Sequence, residues 1–226
     1  MFKVIQVNLH HSKAATAALN QHLHQVGMDM ALIQEPWINK NAVMGLNTSD
    51  DLVAAYVALP RLNGARLVVC SAYLPGEAPN PSMQLAALVE YCEDQKVPLL
   101  IGCDSNAHHT GWGSTNTNQR GEELFSFIMS NNLEIINSGC VPTFVTRARQ
   151  EVLDITLCSE RFANHIKGWH VSDDASLSDH RYVRFDITLT LEKTAEAYRD
   201  PKTTDWEGYR ASLMMNPRNF GTTQLA

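Results

Sequence analysis

Apolar and polar positions along this chain follow two rhythms. Short, continuous apolar runs rich in β-branched residues predict strands at Phe2–Asn8 (FKVIQVN), Met30–Gln34 (MALIQ), Leu67–Tyr73 (LVVCSAY) and Val97–Cys103 (VPLLIGC). Between them, apolar residues recur at helical spacing. Ala15, Leu19, Leu23 and Val26 share one face of a predicted helix, with Ser12 as its cap and Gly27 as its stop. Leu85, Leu88, Val89 and Cys92 form a second such stripe behind Ser82, and Leu124, Phe125 and Ile128 a third over about Gly121–Asn131. Short strand-like segments follow at 133–136 (LEII), 143–146 (TFVT), 152–158 (VLDITLC) and 182–189 (YVRFDITL). Strands that alternate with helices early and dominate late predict an α/β domain whose central sheets are covered by helices.

Both rhythms stop after Leu191. The remaining stretch is polar and broken by prolines, with one short helix expected around Trp206–Leu213. The expected organisation is therefore one domain over residues 1–190 and a polar tail, in part disordered, over 191–226. With 226 residues, 44% apolar and 19% charged, the composition is that of an ordinary globular chain. A chain of this size buries roughly 70% of its unfolded surface and needs no disulfide or structural metal to fold. Collagen, coiled-coil, disordered and small disulfide-framework classes are excluded.

Charge and cysteine usage narrow the setting. Eighteen Lys and Arg against 24 Asp and Glu leave a net charge of -6. That argues against a protein that coats nucleic acid through a basic surface, but not against a nucleic-acid enzyme with a carboxylate site and local cationic contacts. The five cysteines show no C-x-x-C spacing and lie in or beside apolar runs, so they read as buried, reduced thiols. The N-terminus MFKVIQVNLHHSK has no secretory apolar core of adequate length, and no apolar stretch reaches the ~20 residues that span a bilayer. The expected location is the nucleus or cytoplasm, neither secreted nor membrane-bound.

The polar residues that chemistry could use sit at the ends of apolar strands. Asn8, Glu35 and Tyr73 end the first three, Asp104 and Asn106 follow the fourth, and Ser178, Asp179 and His180 precede the last. In α/β sheets, sites gather beyond strand ends. Asp154 lies inside an apolar run, where a carboxylate is costly unless paired, and His180 is the natural partner. The chain has no Gly-rich phosphate loop, no G-x-S-x-G elbow and no H-E-x-x-H helix. Carboxylates and amides together suit a hard cation such as Mg²⁺ and phosphate-ester chemistry. The bland reading of Asp104 and Asn106 is a D-x-N turn. His10, His11, His108 and His109 lack a helical i, i+4 partner and give little support to a zinc site.

The ordered set Asn8, Gln34–Glu35, Tyr73, Asp104-x-Asn106, Leu153–Asp154 and Ser178–Asp179–His180 resembles the endonuclease/exonuclease/phosphatase superfamily, which includes apurinic endonucleases and pancreatic-type deoxyribonuclease. Longer pieces narrow the likeness: IQVNLHHSKAA, ALIQEPW, SAYLPG, IGCDSNAHHTGWGS, RGEELFSFI, PTFV, EVLDITLCS and LSDHRYVRFDI. Together they resemble the endonuclease domain of non-LTR (LINE-like) retrotransposon polyproteins, over residues 1–190 apart from one segment. The resemblance implies a deoxyribonuclease-like fold: a two-sheet β-sandwich flanked by helices in four layers. It also implies Mg²⁺-dependent nicking of double-stranded DNA gripped by its backbone, with Mn²⁺ able to substitute. In the family, such a nick supplies the 3′-hydroxyl that primes reverse transcription. No small-molecule cofactor is implied, and a monomer is expected.

Carried over position by position, the resemblance gives Glu35 and Asp179 the metal. Asp104 would orient or deprotonate the attacking water, and Asn106 would position that water and the phosphate. Asn8 and Tyr73 would contact the scissile phosphate. His180 would donate to the phosphoryl oxygen, with Asp154 fixing its tautomer. Thr143 and Trp112 either pack or touch the DNA backbone. Arg147 and Arg149 are phosphate contacts or solvated loop charges. Two departures stand out. His10 occupies a place where apurinic members carry an acidic metal ligand. The interval from Glu35 to Tyr73 is short by about one strand pair of the first sheet. Two other readings follow: a catalytically impaired remnant of the domain, and another phosphoesterase of the same fold.

Overall fold

The computed structural model describes residues 1–37, 47–49, 51–59 and 65–188. In chain order the elements are β1 (Phe2–Asn8), α1 (Lys13–Val26), β2 (Met30–Gln34), β3 (Asn47–Ser49), β4 (Leu52–Leu59), β5 (Ala65–Tyr73), α2 (Met83–Asp94), β6 (Leu99–Asp104), α3 (Gln119–Ser130), β7 (Leu133–Ile135), β8 (Phe144–Val145), β9 (Gln150–Glu151), β10 (Asp154–Ser159), α4 (Glu160–Ala163), β11 (Ile166–Val171) and β12 (Val183–Ile187). A single 3₁₀ turn, Thr110–Trp112, precedes α3.

The strands form two sheets and a small hairpin. One sheet has the order β11-β12-β1-β2, the other β3-β4-β5-β6-β10-β7, and β8 pairs with β9. Side-chain alternation on β1 sorts the layers. Ile5 and Val7 point outward and pack with Ala15 and Leu19 of α1. Val4 points inward, in one cluster with Leu67, Val69, Leu100 and Phe185, which joins the two sheets. The outer face of the larger sheet packs under α2 and α3 through Val68, Ile101, Leu85, Leu124 and Ile128. The result is helix, sheet, sheet, helix: four layers, as the resemblance implies.

Capping chemistry explains where the helices begin. Ser12 Oγ accepts the Ala15 N–H at 3.2 Å, and Ser82 Oγ accepts the Leu85 N–H at 3.2 Å. Gly27 closes α1 in the left-handed region, φ 61°, with its N–H bonded to the Leu23 carbonyl. Asn118 caps α3, its Oδ1 accepting the Gly121 N–H at 2.8 Å.

The interface between the sheets carries a polar seam. Gln6 Nε2 donates to the carbonyls of Cys103 and Ile155 across the gap, and Gln34 Nε2 donates to the Gly102 carbonyl at 2.9 Å. Gly102 lets the sheets approach at this point. A Cβ there would meet Leu32 Cδ1 at 2.8 Å and Gln6 at 2.9 Å.

Several elements depart from the sequence reading. β3, β4, β9, β11 and α4 were not predicted, and β3 and β4 occupy the short interval between Glu35 and Tyr73. Both join the larger sheet, so among the described residues the first sheet stops at β2, with four strands against six. Cys70, Cys92, Cys103 and Cys158 are buried as expected, whereas Cys140 is exposed, because it lies in a loop rather than in a packed strand. Among the described residues, no helix is long and apolar enough to cross a membrane. The expected tail, 191–226, lies outside the described residues.

Candidate active site

Strand register brings the polar strand ends to one place. Asn8 at the end of β1 lies opposite Gln34, the residue before Glu35, and Gln6 lies opposite Val183, which opens β12 just after His180. In the other sheet Asp104 lies opposite both Tyr73 and Asp154. All these positions fall at the same edge of the sandwich. The backbone is bent there at a cost. Five of the seven described non-glycine residues with positive φ border this edge: His10 (48°), His11 (51°), Glu35 (45°), Asn106 (43°) and Leu177 (56°). Such conformations cost on the order of 1–3 kcal/mol each and collect at functional sites.

A chain of hydrogen bonds with one ion-pair contact crosses from one sheet to the other. Asp154 Oδ2 lies 2.8 Å from His180 Nδ1, and His180 Nε2 lies 3.7 Å from Asp104 Oδ2. Asn8 Nδ2 donates to Asp104 Oδ2 at 2.8 Å and to Glu35 Oε2 at 2.9 Å. The Asn106 N–H donates to Asp104 Oδ1 at 3.2 Å, and the Tyr73 hydroxyl bonds the Asn106 side chain. Asn8, Asp104, Asp154 and His180 are all buried.

Burial sets the electrostatics. Desolvation, reinforced by the Asp154 charge, raises the Asp104 carboxyl to about 7, although His180, Asn8 and Asn106 oppose the rise. Burial alone would lower the His180 imidazole. The Asp154 charge and hydrogen bond, with Asp104 and Glu35, overcome it and raise the group to about 9. His180 is therefore an imidazolium at neutral pH, with both ring nitrogens protonated and Nδ1–H donating to Asp154. Tyr73 is raised as well, by burial and then by the Glu35 and Asp104 charges.

The ligating atoms of Asp104, Asp154 and His180 lie within 4.8 Å of one another, close enough for a metal ion. Their chemistry fits a proton relay better. The imidazolium has no free lone pair, and its contact with Asp154 has the length of a charge-assisted hydrogen bond. Mg²⁺ takes oxygen ligands. Glu35, whose side chain is 18% exposed, fits that demand, with Oε1 3.3 Å from His11 Nε2. Asp179 is more open, 48% exposed, with Oδ2 3.7 Å from His10 Nδ1.

The other residues singled out in the sequence are placed differently. Thr143 is fully buried, and its Oγ1 accepts the N–H groups of Leu153 and Asp154 at 3.1 and 3.0 Å, which fixes the start of β10. Trp112 is 1% exposed and packs against His109. Arg147 is exposed, and Arg149 lies over the Phe144 ring and bonds His108. Sequence reasoning gave no role to three supports. Phe144 packs edge-on to the His180 ring with centroids 5.0 Å apart. Ser178 Oγ donates to the Asn8 carbonyl at 2.8 Å. Arg120 Nε donates to the Asn106 carbonyl at 3.3 Å, and its Nη1 to the Ala78 carbonyl. The last two act on backbone carbonyls, which leave no pairing signal in a sequence. Both residues do stand in pieces that carried the resemblance, LSDHR and RGEEL.

The chain is similar to several known proteins. Among solved structures, the endonuclease domain of TRAS1, a telomere-specific non-LTR retrotransposon, is 26% identical with a TM-score of 0.69, covering 83% of this chain and 98% of that one. An AP endonuclease from Archaeoglobus fulgidus is 12% identical (TM-score 0.56, 83% and 99% covered). A 3′-5′ exonuclease from Neisseria meningitidis is 16% identical (TM-score 0.57, 83% and 100% covered). At the last two identities the likeness speaks for the fold alone. No curated protein sequence matches the chain. The family described as endonuclease-reverse transcriptase matches residues 67–184, just over half of the chain. On that match, the chain belongs to the endonuclease-reverse transcriptase family.

Proposed function

We propose that this chain is a divalent-metal-dependent endonuclease that nicks one strand of double-stranded DNA, and that it derives from a non-LTR retrotransposon. The observation that carries the reading is the relay Asp154–His180–Asp104–Asn8, buried and reaching Glu35, built from both sheets at one edge. In-line attack on a phosphodiester builds charge on the equatorial oxygens. A Mg²⁺ ion held by Glu35, with Asp179 as its second carboxylate, would supply Lewis-acid stabilisation of that charge.

The protein's own groups do the rest. Asp104, raised to about 7, is poised to orient the attacking water and take its proton. Asn106, held by its N–H bond to Asp104 and by Arg120, positions that water. His180 donates from Nε2 to a phosphoryl oxygen, and Asp154 holds its ring and charge. Asn8 and Tyr73 complete the donors around the phosphate. Arg147 is exposed and free to reach a flanking phosphate. Trp112 and Thr143 act from the interior as supports. The protein works on DNA as a monomer, and its nick leaves a 3′-hydroxyl able to prime synthesis.

Supercoiled plasmid tests the reading. The purified chain should convert it to nicked circles in Mg²⁺ or Mn²⁺ and stop in EDTA. A folded sample, verified by circular dichroism, that leaves the plasmid intact in both metals would mean a catalytically inert remnant.

A further inference from the structure

We propose that Leu177 is a wedge that enters the DNA duplex beside the scissile phosphate. The proposal rests on the endonuclease reading above. It starts from a residue that makes no sense as core or as ordinary surface. Leu177 is a large apolar side chain, 62% exposed, two positions before Asp179 and three before His180. Its backbone sits at φ 56°, a region that L-residues other than Asn and Asp avoid. A glycine or asparagine would occupy this turn without strain. The chain instead holds a leucine there, pointing its apolar bulk at solvent.

The turn is over-determined by its neighbours. Ser176 is buried, and its hydroxyl bonds the carbonyls of His180 and Ser178 and accepts the Ser178 N–H. Ser178 Oγ accepts the His180 N–H at 3.3 Å and donates to the Asn8 carbonyl at 2.8 Å. The two serines thus tie the leucine to Asn8 and His180 at once. An exposed apolar side chain fixed in this way suits a partner with an apolar interior and a charged exterior. Duplex DNA is such a partner: its phosphates would lie on the donors of the site while the leucine meets sugar and base edges in the adjacent groove. Apolar side chains inserted at a base step part the stack and bend the duplex, and flexible steps yield most readily. Leu177 would therefore favour cleavage at such steps.

The test compares wild type with Leu177→Ala and Leu177→Gly on two DNA duplexes, one fully paired and one with a mismatch at the step next to the nick. Leu177→Gly relieves the backbone strain and should melt at or above the wild-type temperature, whereas Leu177→Ala keeps a Cβ at the same φ and should melt near it. On the paired duplex KM should rise about tenfold, the loss expected for one leucine's apolar contact. On the mismatched duplex, where the stack is already weakened, the change should stay within about twofold. Wild-type KM and kcat on the paired duplex, or an equal loss on both duplexes, would overturn the wedge. A 2-aminopurine placed at the step separates this proposal from the endonuclease reading, because it needs only binding. If wild type cuts nothing, brightening with wild type but not with Leu177→Gly still supports the wedge, and equal signals overturn it.

Discussion

The behaviour of His180 follows from one pairing. Asp154 lies in a strand whose six residues are all buried, and its Oδ1 has no hydrogen-bond partner among the described residues. Its Oδ2 spends its charge on the imidazole alone. An isolated carboxylate at that position would be costly, so the pair was legible as soon as Asp154 appeared in an apolar run. The contacts of Arg120 and Ser178 were not legible, because they grip main-chain atoms brought near only by folding. The pairing also sets how the metal-free protein responds to pH. His180 is raised above its ordinary 6.5, so its contribution to stability is fully present below about 6.5 and lost as pH rises through about 9. Asp104 is raised from 3.8 to about 7, so it too favours the protonated fold and weakens stability over about pH 4–7. The two shifts work in the same direction. In EDTA, the denaturant midpoint should fall between pH 6 and pH 9.5, by the equivalent of a few kcal/mol at most. Asp154→Asn should flatten the alkaline part of that fall and slow nicking by about 10²–10⁴-fold, the range for a lost acid-base group. An alkaline fall as steep in Asp154→Asn as in wild type would place the titrating group elsewhere.

At the scale of elements, legibility tracked the strength of local signals. Ser12, Gly27 and Ser82 mark the limits of α1 and α2 because caps are local chemistry. The strands β1 and β2 were clear from their apolar runs. β4 (LVAAYVAL) was missed because three alanines thin its apolar pattern and its burial comes from pairing with β5. β11 (IKGWHV) was missed because a register shift between Lys167 and His170 breaks its alternation, and half of its residues are exposed. Gly102 is a subtler case. It sits in a strand run where glycine is normally unfavourable, and its reason appears only when the second sheet is in place. Gly102→Ala should lower stability by about 1–3 kcal/mol, because Leu32 and Gln6 must both shift to admit a methyl group. Since β6 also carries Asp104, nicking should fall with it. Leu32→Ala in the same chain should restore part of the melting temperature by making room. A single Gly102→Ala variant that melts at the wild-type temperature would show that the sheets separate freely at this point.

At the scale of the whole molecule, the two sheets are unequal. The larger has six strands, and the smaller has four and, among the described residues, ends at β2. The sequence reading expected the short Glu35–Tyr73 interval to cost the first sheet a strand pair. The interval does carry strands, β3 and β4, but both extend the second sheet. Composition could not have revealed this, because sheet membership depends on pairing over long separations. The consequence concerns the site directly. Glu35 follows the last residue of β2, so its position depends on a strand that, among the described residues, is paired in its sheet with β1 alone. An open strand edge offers unpaired backbone groups, which favours fraying and edge-to-edge association. A hairpin inserted between Trp37 and Asn47, designed to pair with β2, should therefore stiffen the metal side of the site. Each kcal/mol gained should raise the melting temperature by about 2–4 °C in a domain of this size. Tighter metal binding should accompany it, read as a lower Mn²⁺ concentration at half-saturation in isothermal titration. Asp104 lies on β6 and His180 in the turn before β12, so the pH profile of nicking should not move. An unchanged melting temperature and metal affinity would mean that β2 is already secured, and that the unequal sheets are a finished design rather than a loss.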